Sequence, residues 1–475
     1  MSAVALLMGL AVILPRWQDW KVSVSPFTPG ARRGRGLRAL GWAPLRAEWD
    51  PRLGPGSLAA FALGTCAVLY AGQLCSRWRW RRMLAMMFVL AAAWSASLAT
   101  VDGLEGIGRV LDTGPEYLQT AREVADLSTL LSTYVDRIPE TASGSWPVHV
   151  AGHPPGALLF FVLLVAIGLG SGLAAGVTVL LLGATTPLAV LITLRLLGAA
   201  QAARTVAPLL VFGPAAIWMA VSADGVFAAI SGWGLCCLAA AATRDRGWST
   251  ALWGVAAGTL LGLCLMLSYG LALLAVLAVA ILLVARSFRP LPWVLVAAVV
   301  VVLGFAAAGY AWWEAFPVLR ERYWDGIAGR RPATYWLWGN LAALCFSAGP
   351  LAAAGTAVGL ARFRERRPLR APPELGASSS ARGNVVPNGQ RNARGITSPY
   401  SSEQTVAVLA CAAVLTIVIA DLSRMSKAEV ERIWLPFVPW LLLGCALLPP
   451  RWQRASLALQ VAFALAVQHL LFTAW

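Results

Sequence analysis

Long apolar runs divide most of this chain and constrain its fold more than any other feature. A helix needs about 20 mainly apolar residues to cross the hydrocarbon core of a bilayer. A shorter apolar run lies at 2–14. Twelve runs approach the length of a span, at 57–75, 83–101, 172–198, 205–222, 224–243, 249–267, 270–286, 291–313, 334–358, 404–421, 433–448 and 455–474. They predict an all-α polytopic membrane protein with about 12–13 spans, which excludes a soluble enzyme.

The distribution of arginine agrees with a multi-pass protein of the plasma membrane. The net charge of +16 suggests a nucleic-acid partner only if location is ignored. When residues 102–153 are placed outside, most arginine-rich connections fall on the inner side, as the positive-inside rule requires. The basic stretch 16–56 is an exception that falls outside, unless 2–14 does not span. The inner connections contain Arg77, Arg79, Arg81, Arg82, Arg204, Arg244, Arg246, Arg286, Arg289, Arg362, Arg364, Arg366, Arg367, Arg370, Arg451 and Arg454. We therefore expect the lipid bilayer, and no nucleic acid, as a partner.

Composition divides the chain into four parts. Residues 1–56 form an N-terminal helix and a basic segment rich in Pro and Arg, and 57–360 form a membrane core. Residues 361–402 are rich in Ser, Gly, Asn and Arg, which predicts a disordered inner linker. Residues 403–475 form a three-helix membrane segment. The run 154–169 is only about 16 residues long and begins with two prolines, so it is predicted to be a juxtamembrane or re-entrant helix on the outer face.

The external loop 102–153 concentrates ionisable groups that an apolar chain otherwise avoids. It holds eight of the 22 acidic residues and two of the three histidines. Asp112 and Glu116 flank a Gly-Pro turn that could position both carboxylates. Glu123 and Asp126 are instead expected on the solvated face of an amphipathic helix at about 116–135. Such a concentration makes this loop the first candidate for a functional site.

The two histidines of the loop, His149 and His153, are spaced four residues apart. On a helix this spacing could bind a metal, but His153 precedes a proline, which disfavours helical geometry. The alternative is that His153 alone donates to an anion or carries a proton. The sequence favours this second interpretation.

Three later segments carry charges on the same predicted face. Asp224 opens a helix after Pro214, where it is either a helix cap or part of a site with the acidic loop. Arg322 lies in the aromatic external segment 313–335, where it either pairs with local acids or binds an anionic headgroup. Lys427 and Arg432 precede a predicted span, so they either bind a lipid phosphate or pair with Glu429 and Glu431.

In chain order these elements resemble the GT-C class of membrane glycosyltransferases, in particular the bacterial relatives of protein mannosyltransferases and aminoarabinose transferases. The matching elements are an acid followed by tyrosine, a His-Pro-Pro element, a Pro to Asp hairpin and a late Lys, Arg, Pro, Pro element. In this chain they are Glu116-Tyr117, His153-Pro154-Pro155, Pro214 to Asp224, and Lys427, Arg432, Pro436 and Pro439. The resemblance covers about residues 83–445.

This resemblance implies transfer of a sugar from a polyprenyl-phosphate donor on the outer face to an envelope glycan, glycolipid or protein. Glu116, Asp112, Asp224 and His153 would be catalytic, and Tyr117, Arg322, Lys427 and Arg432 would bind substrate. No metal ligand is predicted, although the absence of an Asp-Asp or Asp-x-Asp pair beside Glu116 leaves the use of a divalent cation open. Richness in Ala, Arg and Gly suggests an actinobacterial source. The alternatives are a lipid or solute transporter and a non-catalytic protein of envelope assembly.

Overall fold

The computed structural model describes residues 2–18, 20, 22, 43–364 and 400–473. Helices make up nearly all of the regular structure in these ranges. The strands described are Ala47–Trp49 and Leu471–Thr473, which pair antiparallel with Ala47 opposite Thr473. This pairing joins two segments that are far apart in sequence. The all-α class predicted from the apolar runs is therefore confirmed.

Six helices are long and apolar enough to cross a membrane, and the number rises to eight if each of two bent helix pairs is one span. The six are Ser57–Arg77, Trp80–Asp102, Gly172–Leu196, Ala223–Ala242, Gly247–Leu267 and Ser402–Leu422. The bent pairs are Leu291–Ala307 with Trp312–Asp325, and Ala333–Ala348 with Leu351–Arg364. The protein is thus a multi-pass membrane protein by length and composition, with fewer long spans than the 12–13 expected.

Several apolar runs fall short of a span because the chain breaks them. The run 334–358 becomes two helices bent by 104° at Gly349-Pro350, where Gly349 has a φ of +78°. The run 205–222 contributes only the end of helix Ala200–Val211 and the single turn Ala216–Met219. Proline cannot continue a helix, and Pro214 lies between these two elements. Hydropathy alone did not reveal these interruptions.

The remaining helices are shorter. Four are apolar: Ser2–Trp17, Pro155–Ala166, Tyr269–Ala285 and Val438–Leu447. Other helices are Ala200–Val211, Gln453–Leu470 and the short Val148–Gly152, and short turns lie at Leu104–Ile107, Ile327–Arg330, Val430–Ile433 and Pro450–Trp452. Pro155–Ala166 has 12 residues, too few to cross a bilayer, which agrees with the interpretation of 154–169 as a short helix.

Helix Ala223–Ala242 lies at the centre of the molecule, and nearly all of its residues are buried. It packs against Gly247–Leu267, which in turn packs against Leu291–Ala307. Three glycines spaced by four residues, Gly254, Gly258 and Gly262, permit the second contact. A Cβ added at Gly258 would lie 2.3 Å from the Val294 carbonyl oxygen, so this close approach requires glycine. The central helix is thereby held where its first turn can contribute Asp224 to a site.

The loop 102–153, predicted to be external, packs its helices against the apolar helices. The single amphipathic helix expected at 116–135 is wrong: two helices, Tyr117–Glu123 and Leu127–Ser132, form instead. The break has a local cause, because the Asp126 carboxylate accepts a hydrogen bond from the Thr129 amide at 2.6 Å and caps the second helix. Glu123 and Asp126 are both exposed, as the prediction of a solvated face requires.

Two sequence predictions concern segments that the structure does not describe. Residues 365–399 contain most of the predicted inner linker 361–402. Residues 23–42 contain much of the basic N-terminal part of 1–56. Both lie outside the described residues.

Candidate functional site

Five side chains from three distant parts of the chain meet in one place. Glu116 and His149 come from the external loop, Asp224 from the first turn of the central helix, and Glu429 and Arg432 from the segment before Val438–Leu447. We call them the carboxylate–arginine cluster. Glu116 is 2% exposed, Asp224 is 3% exposed and Arg432 is 3% exposed, so the centre of the cluster is closed to solvent.

Glu116 is held at the start of helix Tyr117–Glu123, directly after the Gly114-Pro115 turn. The backbone of this turn contacts the other half of the loop, because the Pro115 carbonyl accepts a hydrogen bond from the His149 amide at 3.3 Å. The side chains meet as well: His149 Nδ1 lies 2.6 Å from Glu116 Oε1. Glu116 Oε2 is buried and has no hydrogen-bond partner among the described residues. A buried carboxylate oxygen without a donor is costly, and such atoms often mark ligand sites.

Arg432 links the cluster together. Its Nη1 donates to Asp224 Oδ2 at 2.8 Å, and its Nη2 lies 3.1 Å from His149 Nε2 and 3.3 Å from Glu429 Oε2. The expected local pairing of Arg432 with Glu429 is present, but it is only one of three contacts. Asp224 is correspondingly more than a helix cap, since its carboxylate reaches across 208 residues of sequence to this arginine.

These contacts define the protonation of His149. A guanidinium can only donate, so His149 Nε2 must accept and its ring proton must reside on Nδ1. Nδ1–H then donates to Glu116. Arg432 therefore donates in two directions, to Asp224 and to His149, and His149 bridges the guanidinium and the Glu116 carboxylate.

The surroundings keep Glu116 and Arg432 charged. Burial raises the pKa of Glu116, but its interactions with His149 and Arg432 outweigh burial, so the pKa lies below its usual range. Burial lowers the pKa of Arg432, yet Asp224, Glu116 and Glu429 together raise it above its usual value. In the resting protein Glu116 is ionised and Arg432 is protonated. A buried base and a buried cation thus coexist within one cluster.

Tyr117, the residue after Glu116, pairs with His153. Tyr117 Oη lies 2.8 Å from His153 Nδ1, which also lies 2.9 Å from the His149 carbonyl oxygen. Burial lowers the pKa of His153 to about 4, and burial with Glu116 and Asp224 raises that of Tyr117. His153 is consequently neutral and Tyr117 protonated at physiological pH. Tyr117 is buried and His153 is half-buried, and both support the loop through these contacts.

The segment before Arg432 is fixed by a second set of contacts. Lys427 Nζ donates to the Ala328 and Arg331 carbonyls at 3.0 and 2.9 Å, and it lies over the Trp324 ring. Arg331 donates in turn to the Lys427 carbonyl. Burial lowers the pKa of Lys427. The predicted phosphate ligand Lys427 therefore cross-links the segment, and its ammonium is directed at backbone carbonyls.

Two other predicted residues lie outside the cluster. The Asp112 carboxylate makes a two-pronged ion pair with Arg122 at 2.7 and 2.9 Å on the protein surface. Arg322 binds the opposite side of the loop through the Ile138 and Trp146 carbonyls and the Ser145 hydroxyl. The structure thus brings together Glu116, Tyr117, His153, Asp224 and Arg432, and it does not bring in Asp112 or Arg322.

Sequence reasoning missed the role of His149 and the position of Glu429. The sequence offered His149 only as a metal partner for His153, and helix Val148–Gly152 ends before His153, which is extended. The partner of His149 is instead Glu116, 33 residues earlier. No local spacing signals such a pair. The described residues contain no group of three or more His, Cys, Asp or Glu side chains placed to hold a metal ion.

Comparison with known proteins adds no relative. The chain matches no protein-family model, no curated protein and no solved structure. The resemblance to the GT-C class consequently stays a prediction, and the functional argument depends on the cluster itself.

Proposed function

We propose that the protein is a membrane glycosyltransferase that moves a sugar from a polyprenyl-phosphate donor to a cell-envelope acceptor at the carboxylate–arginine cluster, on the outer face of the membrane. The observation that carries this proposal is the buried Glu116 carboxylate. One of its oxygens is held by His149, and the other has no donor among the described residues. The buried Arg432 contacts the other ring nitrogen of His149. A base and a cation are the two groups that this chemistry requires.

The reaction divides between these two groups. A glycosyl phosphate already has a good leaving group, so the acceptor hydroxyl needs a base and the departing phosphate needs positive charge. Glu116 Oε2 takes the hydroxyl proton while the acceptor oxygen bonds to the anomeric carbon. The bond from that carbon to the phosphate oxygen breaks, and its electrons leave with the lipid phosphate. Arg432 stabilises the charge that develops there.

Binding of the donor would also strengthen the base. In the resting protein Arg432 helps to hold the pKa of Glu116 low. A phosphate on Arg432 would offset much of this positive field, while Glu116 stays buried. Burial then favours the protonated form, and the carboxylate becomes a better proton acceptor. The cluster would therefore be activated by the substrate whose sugar it transfers.

His149, Tyr117 and His153 would position Glu116. The His149 Nδ1–H fixes one carboxylate oxygen and leaves the other for the acceptor. The short helix that carries His149 is fixed by Tyr134, whose hydroxyl lies 2.8 Å from the Val150 carbonyl oxygen and 3.1 Å from that of His153. Positioning of this kind lowers the barrier by presenting the base in reacting geometry.

The direct test is turnover of the full chain in lipid nanodiscs with polyprenyl-phosphate-linked mannose or arabinose. We expect release of polyprenyl phosphate with transfer of the sugar to an envelope glycan acceptor. The matched control is Asp112→Asn, which removes a carboxylate four residues from Glu116 and outside the cluster. Absence of transfer with every donor, in well-folded protein, would refute the proposal.

A solute or lipid transporter is the second candidate, because the cluster is closed and ionisable groups inside membrane proteins often serve proton-coupled transport. A transporter would accumulate its solute in proteoliposomes with a proton gradient and would release no polyprenyl phosphate. Measuring uptake and lipid-phosphate release on the same preparation separates the two functions.

A further inference from the structure

Glu429 has an unusual position between two arginines. Its Oε2 lies 3.3 Å from Arg432 Nη2, and its Oε1 lies 3.8 Å from Arg331 Nη2. The two oxygens of one carboxylate thus face two guanidinium groups. Guanidinium groups arranged around a forked anion are the geometry with which proteins bind carboxylates and phosphates.

Arg331 and Arg432 lie 101 positions apart in the sequence. Arg331 follows the turn Ile327–Arg330, and Arg432 lies in the turn Val430–Ile433. The fold therefore brings two cations from different segments to one carboxylate. This arrangement is a binding site for an anion that an internal anion already fills.

Glu429 is also the most accessible of these charged groups. Its side chain is 17% exposed, whereas that of Arg331 is 6% exposed and that of Arg432 is 4% exposed. An anion that approaches the two arginines from solvent would consequently meet the Glu429 carboxylate first. Replacing this carboxylate would leave the contact between Arg432 and Asp224 intact.

The backbone around Glu429 is held while its side chain remains replaceable. Ala428 and Glu429 both adopt left-handed conformations, with φ of 71° and 64°, which residues other than glycine rarely adopt. Asn340 supports this turn: its Oδ1 accepts from the Ala428 amide at 3.0 Å, and its Nδ2 donates to the Ser426 carbonyl at 3.0 Å. The turn thus presents Glu429 to the arginines without itself needing to move.

We propose that Glu429 is an internal substitute for a phosphate ligand: its carboxylate occupies a site between Arg331 and Arg432 and is displaced when a phosphate group binds. The inference rests on the proposed function, because it identifies how the donor phosphate would enter the cluster. It adds Arg331 as a phosphate-binding residue. The Glu429 carboxylate is then a gate, the group that must leave the site before phosphate can bind. The phosphate can come from a lipid headgroup or from a free phosphate, and the experiment distinguishes these sources.

The experiment measures equilibrium binding to the full chain in phosphatidylcholine nanodiscs. One arm contains polyprenyl phosphate in the bilayer, and the other contains inorganic phosphate in solution. If the Glu429 carboxylate leaves the site open about a tenth of the time, phosphate binds about tenfold more weakly than it would to an open site. Glu429→Gln keeps the size of the side chain and removes its charge, so we expect polyprenyl phosphate to bind about tenfold more tightly.

Three further variants make the result specific. Glu123→Gln removes an exposed acid of the external loop and should leave binding unchanged. Arg331→Gln added to Glu429→Gln should abolish the gain. Glu429→Asp is too short to reach both arginines and should give a smaller gain, which keeps the test valid if Glu429→Gln does not fold. Equal gains for both probes indicate a free-phosphate site, and a gain for polyprenyl phosphate alone indicates a lipid headgroup.

Unchanged affinity for both probes in folded Glu429→Gln and Glu429→Asp would overturn the inference, and Glu429 would then be a structural partner of Arg432. This outcome is separate from failure of the proposed function. Tighter phosphate binding without sugar transfer would support the gate and refute the transferase. Sugar transfer with unchanged binding would do the reverse.

Discussion

Asp112 and Glu116 lie four residues apart in one loop, yet their carboxylates have opposite surroundings. The Asp112 side chain is 33% exposed and binds both prongs of Arg122 at the surface. Glu116 is 2% exposed, shares one oxygen with His149 and leaves the other without a donor among the described residues. Both carboxylates have a pKa below the usual range, Asp112 because of the hydrogen bonds that Arg122 donates and Glu116 because its interactions with His149 and Arg432 outweigh its burial.

The difference shows which ion pair can support chemistry. A surface pair is screened by water, and its contribution to stability is about 0–1 kcal/mol. A buried charge interacts strongly with its partners and is costly to leave alone. Asp112 has both of its oxygens occupied, whereas Glu116 keeps one oxygen available inside a low-dielectric cluster. The position of a carboxylate in the fold, more than its position in the loop, therefore decides its role.

Substitution of the two carboxylates should separate them by the largest margin. Glu116→Gln keeps size and hydrogen bonding but cannot take a proton, so we expect transfer to fall by about 10²–10⁴. Asp112→Asn should change transfer by less than about twofold, because its surface pair is outside the cluster. Transfer rates in nanodiscs test both variants. Near-normal transfer by Glu116→Gln would remove it as the base.

Replacing the arginine partners of these two sites should lower the stability of the protein by different amounts. Arg432→Ala leaves Asp224 buried without its cation, so the free energy of unfolding should fall by about 3–5 kcal/mol. Arg122→Ala breaks the exposed pair with Asp112 and should cost at most about 1 kcal/mol. Melting temperatures of the two variants in one detergent provide the measurement. Equal losses would mean that the cluster is no more strongly coupled than the surface pair.

Lowering the pH should reduce the free energy of unfolding through His153 before the carboxylates of the loop titrate. His153 has a folded pKa of about 4, below its ordinary value of 6.5, because it is buried. Between these two values the unfolded ring binds a proton that the folded ring does not. Stability should therefore fall as pH falls from about 6.5 to 4, by up to about 1.4 kcal/mol per pH unit.

The variant that checks this pH dependence is His153→Asn, whose amide can replace the Nδ1 contact and does not titrate. Its melting temperature should depend less on pH in the same window. An unchanged slope would assign the pH dependence to another group.

The fold and the site were predictable to different degrees from the sequence. Apolar length identified the membrane helices at 57–75, 83–101 and 404–421, because span length depends on local hydropathy. It failed at 205–222 and 334–358, where Pro214 and Gly349 interrupt apolar runs. Hydropathy counts apolar residues and does not detect the bend between them.

For the site, residue type was informative but pairing was not. Glu116, Asp224 and Arg432 stood out because ionisable groups are rare in an apolar chain. Their contacts join segments as much as 283 residues apart, as between His149 and Arg432, so no spacing in the sequence could reveal them. Lys427 illustrates the opposite problem, since its predicted role ignored the backbone carbonyls that surround it in the fold.

The most direct test of the central claim, that the cluster acts as one unit in sugar transfer, is a double-mutant cycle between Glu116→Gln and Arg432→Lys. Lysine keeps the charge but cannot reproduce the forked contacts of arginine. Groups that act as a unit give non-additive losses. We predict that the double variant transfers sugar about as slowly as the slower single variant. Losses that multiply, as for independent residues, would contradict the account.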